Sequence, residues 1–301
     1  MLNKAIFGPI LVATITVSDI EESLNLYTKT LGYYLDCRGL VSSELAKSWK
    51  TNKMVDSEWA LLKPKSKEFG WIRLIEGKIP KSFRPLGHYG WSAIEILVES
   101  PDDVYNKLLK SDFKIIGKPE PLISSPKIKA MQAMGIDGEV FYITNVPNGA
   151  SPIHNLPELK SKVDRVFIMV LASSDLKETH RQFSELFNIS KLTEKKRGKN
   201  FVGKNYGLVV NNEILKMTTM QLQGESLIQV DTLPDSASFT PSLQGYLPPG
   251  IPIVTFIVRN LDLSFFADNE MIHEKSSFYE GRGSKTIIGS SGERIELIDF
   301  S

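Results

Sequence analysis

Little in this chain of 301 residues can cross-link it or seat a metal: it has one cysteine, Cys37, and four histidines. A single thiol excludes an internal disulfide framework and a multi-cysteine zinc site, so Cys37 reads as a strand residue in a protein compatible with a reducing cytoplasm. An excess of charge is missing too. The 36 basic side chains face 35 acidic ones, a net charge of +1 with no long block of either sign, which leaves no footprint for nucleic acid or an anionic membrane. No apolar run is long enough to span a bilayer, and Met1 to Val17 reaches Thr14 and Thr16 without the apolar stretch of a leader. A cytoplasmic protein with a small molecule as its partner is the expectation, as a monomer or a homodimer.

What is present is a repeat. A β-rich apolar run ends in a capping residue and a short amphipathic helix follows, at Val17-Ser18-Asp19-Ile20, Val98-Glu99-Ser100-Pro101, Ser173-Ser174-Asp175-Leu176 and Val258-Arg259-Asn260-Leu261. Marked by Asp19, Ser100, Asp175 and Asn260, the spacings are 81, 75 and 85 residues, so four units of one kind are strung together. In the first, strand Ile10 to Val17 leads through Ser18 into a helix with Ile20, Leu24, Tyr27 and Leu31 on one face, closed by Gly32. Strands Tyr33 to Cys37, Trp59 to Leu62 and Trp71 to Ile75 follow, with a helical insert from Ser43 to Trp49. The unit reads β-α-β-β-β.

The second unit repeats that order: strand Ala93 to Val98, a helix from Pro101 capped by Ser100, then strands near Phe113 to Ile116, Ile128 to Met134 and Val140 to Thr144. A stretch broken by Pro147, Gly149, Pro152 and Pro157 reads as a linker, giving a first domain at 1–148, a linker at 149–162 and a second domain at 163–301. The second half is a weaker copy. It offers strand Val166 to Leu171, a helix capped by Ser174 with Leu176, Phe183 and Phe187 on one face, and strands at Leu208 to Val210, Met217 to Leu222 and Leu227 to Val230. A Pro/Ser/Gly-rich stretch, Leu233 to Pro252, reads as a long loop or lid. Strand Ile253 to Val258, a helix at Leu261 to Phe266 and a last strand with Ile295 to Ile298 complete the fourth unit. The run Lys195 to Lys199 reads as a solvated turn.

Paired βαβββ units, the helix opening Val17-Ser18-Asp19-Ile20-Glu21-Glu22-Ser23-Leu24 and the closing Gly292-Glu293-Arg294-Ile295-Glu296-Leu297 resemble the vicinal oxygen chelate superfamily. Glyoxalase I, bleomycin- and fosfomycin-resistance proteins and extradiol dioxygenases share that fold. The resemblance covers nearly the whole chain and implies an α+β fold of four βαβββ modules, paired into two glyoxalase/bleomycin-resistance-like domains with curved mixed sheets. It also implies a cup holding a divalent metal, ligated by a histidine on a module's first strand and a glutamate on its last. Here Val12, Ala93, Ile168 and Ile253 fall at the histidine positions, and Arg73, Tyr142, Gln229 and Glu296 at the glutamate positions. That set lacks the nitrogen and oxygen donors of a zinc, nickel or non-haem iron site, so neither metal nor cofactor is expected.

With the ligand positions the resemblance implies as anchors, and residues i and i+2 of a strand on one face, a cup in the first half is expected to hold Thr14, Thr16, Arg73, Glu95 and Tyr142, with Trp71 or Trp91 and Met131 or Gln132 on its walls. In one reading Arg73 grips a carboxylate or enolate, Glu95 acts as general base and Tyr142 donates to a developing oxyanion. That chemistry would be a metal-independent isomerase, epimerase or lyase acting on a small carbonyl or carboxylate compound. In a second reading the cup binds a planar compound without changing it, as resistance proteins do. In a third, Arg73 and Glu95 form a structural salt bridge. Extradiol cleavage with iron ranks behind these because the histidines are missing.

Overall fold

A computed structural model describes residues 6–122, 125–151, 154–187, 192–197, 215–234, 236–260 and 271–301. Its first module begins with the β-branched run of β1 (Ile6–Val17) and turns into α1 (Ile20–Leu26), which continues as a π-helical turn at Tyr27–Leu31. The cap is Asp19, whose carboxylate accepts from the Glu22 N–H, rather than Ser18. A carboxylate at that point also meets the positive end of the helix dipole. Strand β2 (Tyr34–Leu40), helix α2 (Ser43–Ser48), a 3-10 turn at Asn52–Met54, β3 (Glu58–Lys63) and β4 (Trp71–Glu76) complete the module.

The second module is β5 (His88–Val98), α3 (Pro101–Leu108), β6 (Lys114–Leu122), β7 (Ser125–Met134) and β8 (Val140–Asn145), with Ser100 capping α3 as expected. The third has β9 (Val163–Ser173), α4 (Leu176–Phe187), β10 (Leu192–Arg197), β11 (Leu215–Gln221) and β12 (Leu227–Thr232). Asp175, not Ser174, caps α4. The Lys195 to Arg197 part of the expected basic turn is strand β10, paired with β11. After a short β13 (Ser238–Phe239), the fourth module has β14 (Gly250–Arg259), β15 (Ile272–His273), β16 (Gly283–Ile288) and β17 (Arg294–Asp299). The expected strand at Leu208 to Val210, the helix at Leu261 to Phe266 and the Phe187 side chain lie outside the described residues. Among the described residues no helix is long and apolar enough to cross a membrane.

Sheet pairing crosses the middle of the chain. One sheet runs β15-β16-β17-β14-β1-β4-β3-β2 and the other β10-β11-β12-β9-β5-β8-β7-β6. The first module therefore shares a sheet with the fourth, and the second with the third. Each module's opening strand lies parallel to its closing strand, as β1 does to β4, and keeps its other edge for a second opening strand. β1 meets β14 and β5 meets β9, both antiparallel. The boundaries 1–148 and 163–301 divide the modules along the sequence, but each cup takes half its wall from either side of the linker.

Alternation then sorts the side chains. Ala13, Ile15, Leu74, Ile94, Ile96, Met131, Phe141, Met169 and Phe256 join α1 and α3 residues in one large core between the two sheets. The opposite faces line the cups. Two hairpins lock the layers: Asp137 before β8 accepts from the Ser18 N–H at the β1–α1 junction, and Ser291 before β17 accepts from the Ser174 N–H at the β9–α4 junction. The first contact ties the second module to the first, and the second ties the fourth module to the third.

Candidate functional site

The cup of the first and fourth modules is full. Arg73 on β4 donates from Nε to Thr14 Oγ1 (3.0 Å), from Nη1 to the Tyr279 hydroxyl (2.8 Å) and from Nη2 to Glu296 Oε2 (3.3 Å). Glu296 on β17 also accepts from Trp49 Nε1 (2.8 Å), Tyr279 OH (2.8 Å) and Thr255 Oγ1 (2.6 Å). Both charged groups are 1% exposed. Burial works against the Arg73 charge, but Tyr279 and Glu296 more than offset it, and its pKa stands above the ordinary arginine value. The guanidinium lies 5.0 Å from the Trp49 ring centre. Trp49, at the end of α2, packs with Met54, Leu247, Phe278 and Tyr279 over the cup floor.

This is a correction to the expected site, because Arg73 pairs with Glu296 and not with Glu95. Thr14 is spent on Arg73, and Thr16 donates to the Pro248 carbonyl (2.7 Å). Trp71 belongs to this cup as well, where the Lys63 ammonium lies 4.0 Å from its ring centre. Trp91 faces the inter-sheet core and donates to the Arg294 carbonyl (2.9 Å). Met131 is also in that core, so of the pair Met131 and Gln132 only Gln132 faces a cup.

Glu95, Tyr142 and Gln132 do come together, in the cup of the second and third modules. They form one row across β5, β8 and β7, with Glu95 opposite Tyr142 and Tyr142 opposite Gln132. Thr144 donates to Glu95 Oε1 (2.6 Å). Gln132 is 6% exposed and its Oε1 has no hydrogen-bond partner. The floor is apolar: Ala93, Ile116, Val140 and Val170 cluster with the Tyr142 ring, and Leu86 and Met134 pack against them. On the far wall Gln229 Nε2 donates to both carboxylate oxygens of Asp231 (3.1 and 3.0 Å). Linker residue His154 shares a hydrogen bond with Thr219 (3.1 Å). Asp231, Thr144, Thr219 and His154 were missing from the sequence-based site. The first two follow from the i, i+2 rule applied to Gln229 and Tyr142, whereas the last two require the cross-half pairing.

Strand register makes the two cups comparable position by position. Thr14 is opposite Arg73 as Glu95 is opposite Tyr142, and Thr255 is opposite Glu296 as Val170 is opposite Gln229. Tyr142 and Gln229 thus stand where Arg73 and Glu296 meet in the sister cup. The first module inserts α2 and Trp49 between its second and third strands, whereas in the second module β6 ends at Leu122 and β7 begins at Ser125.

Neither cup suits a divalent metal by the superfamily's route. Val12, Ala93, Ile168 and Ile253 offer no donor atoms, and a guanidinium occupies one closing-strand position. Among the described residues no group of three His, Cys, Asp or Glu side chains converges. The other histidines have local partners: His180 bonds Thr218 (2.8 Å), and His88 accepts from the Arg84 N–H (3.1 Å) and bonds Ser238 (3.1 Å). Burial pushes the His88 pKa down and the Cys37 thiol up. Of the Leu233 to Pro252 stretch, Phe239 and Leu243 are exposed, and β13 pairs with the start of β5.

No family model and no curated protein matches this sequence. Solved structures do match its fold. Glyoxalase I from Zea mays has a TM-score of 0.60 at 13% identity, covering 98% of this chain and 92% of that one. A point variant of the same enzyme has a TM-score of 0.63 at 13% identity, covering 98% and 94%. A proposed dioxygenase from Bacillus subtilis has a TM-score of 0.59 at 11% identity, covering 98% and 86%. The chain shares the glyoxalase-like fold of these structures over nearly its whole length.

Proposed function

We propose that the protein binds a small molecule in the cup of its second and third modules, while the sister cup serves as a structural core. The observation that carries this reading is the contrast at equivalent positions: Arg73 and Glu296 neutralise each other under Trp49 and Tyr279, whereas the neutral side chains Tyr142 and Gln229 stand at the corresponding positions of the other cup. Apolar residues on the floor with a few polar groups above them is the composition of a ligand site. Arg73 drops out as the ligand's anchor, and with it the reason to favour a carboxylate compound.

The register pairing of Glu95 with Tyr142 favours a second, catalytic reading of the same cup. Glu95 is positioned to take a proton next to a carbonyl held by Tyr142, without Arg73 and without a step through a metal. A native mass spectrum of the purified protein tests occupancy: mass above that of the sequence is expected, and extraction identifies the compound. The double variant Tyr142→Arg/Gln229→Glu rebuilds the sister cup's ion pair here and should abolish that excess mass with the fold intact by circular dichroism. Excess mass that survives this variant, or none in the wild type, overturns the reading. If the extracted compound is turned over by wild type and bound intact by Glu95→Gln, the protein is an enzyme; if both return it intact, it is a binding protein.

A further inference from the structure

Gln132 poses a question that the rest of the cup does not answer. A buried carbonyl oxygen without a donor is costly in a folded protein, because the water it lost is not replaced. Gln132 lies mid-strand on β7 between Ala130 and Met134 on the same face, while its chain neighbours Met131 and Ala133 point into the inter-sheet core. It could not turn away from the cup without breaking the β7–β8 register, in which it faces Tyr142. Packing alone would be served as well by methionine, the residue two positions further along the same face.

Resting on the reading above, we infer that Gln132 is the specificity-determining residue of the cup, and that its ligand presents an uncharged N–H or O–H donor to Gln132 Oε1. The chemical class is a primary amide, a lactam or a hydroxyl compound, with an apolar body on the Ala93, Val140 and Val170 floor. An anionic group at Gln132 Oε1 would bring no proton to that carbonyl oxygen and leave it unpaired. A site that holds one polar atom unpaired until its ligand arrives rejects analogues lacking the complementary donor far more strongly than it rejects a change in apolar size.

The test uses the whole chain and matched probes of one shape, benzamide against benzoate and phenol against fluorobenzene, followed by titration calorimetry. Benzamide and phenol are expected to bind at least tenfold more tightly than benzoate and fluorobenzene. Gln132→Met should remove that preference while leaving the unfolding midpoint unlowered, because it deletes an unpaired polar atom. Benzoate binding as tightly as benzamide, or a preference that survives Gln132→Met, overturns the assignment of Gln132. If those probes are still displaced by Tyr142→Arg/Gln229→Glu, the cup remains the binding site. Binding of no probe, in a protein that carries excess mass in its native spectrum, also overturns the inference and leaves the cup reading standing.

Discussion

At the scale of single residues, the decisive exchange is between Arg73 and Glu296. Removing one partner strands the other charge in a closed cup, which costs about 3–5 kcal/mol. Arg73→Met and Glu296→Gln are each expected to lower stability by that amount in urea unfolding. The double variant Arg73→Met/Glu296→Gln should cost clearly less than the sum, since no net charge is then left unpaired. Ligand binding in the other cup should be unchanged in all three, and a loss of binding in Arg73→Met would return Arg73 to the functional site. The sequence made this residue visible, because a cation at a closing-strand position stands out, and alternation turned Arg73, Glu95 and Tyr142 to the correct faces. Its partner was out of reach. Glu296 lies 223 residues away, and strand periodicity says nothing about which opening strands will pair.

At the scale of elements, the two hairpins that lock the layers each bury a carboxyl group. Glu139 accepts from the Tyr27 hydroxyl (2.6 Å) and the Asp137 N–H (3.1 Å), and Glu293 accepts from the Ser291 N–H (2.9 Å) while its Oε1 has no partner. Burial raises both pKa values to about 7, against 4.5 for an ordinary glutamate. The raised native values mean that, between about 4.5 and 7, the folded protein holds protons the unfolded chain has released. Stability therefore falls as pH rises through that window, at up to about 1.4 kcal/mol per pH unit for each group. Glu293→Gln keeps the shape and removes the charge. It is expected to raise the unfolding midpoint at pH 8 and to leave it nearly unchanged at pH 5, so an equal effect at both would refute this account. The glycines of these turns were legible and their purpose was not: a Cβ on Gly135 or Gly289 would overlap the Glu139 or Glu293 carboxyl group. Helix caps were legible to within one residue, since Ser18-Asp19 and Ser174-Asp175 each offer two candidates and the carboxylate takes the role in both.

At the scale of the whole molecule, sheet pairing decides whether the halves are separable. Four copies of one unit and a proline-broken linker suggest two independent domains, and each half does have its own modules and hairpin lock. Yet β1 takes its neighbour from β14, and β5 from β9. A fragment of residues 1–148 would expose the outer edges of both β1 and β5, together with the apolar wall left by Ile253, Ile257 and Val170. Long open edges next to apolar surface seek another strand. The fragment is expected to self-associate in light scattering, whereas mixing it with residues 149–301 should give a one-to-one complex with the intact protein's circular dichroism and ligand binding. A monomeric, cooperatively folding 1–148 would mean that the edges are satisfied within the half. The pairing also has a functional consequence. Because each cup draws on both halves, its wall is assembled from opposite sides of the linker: Arg73 and Glu296 close the ion pair of one, and Glu95, Tyr142 and Gln132 share the other with Gln229 and Asp231.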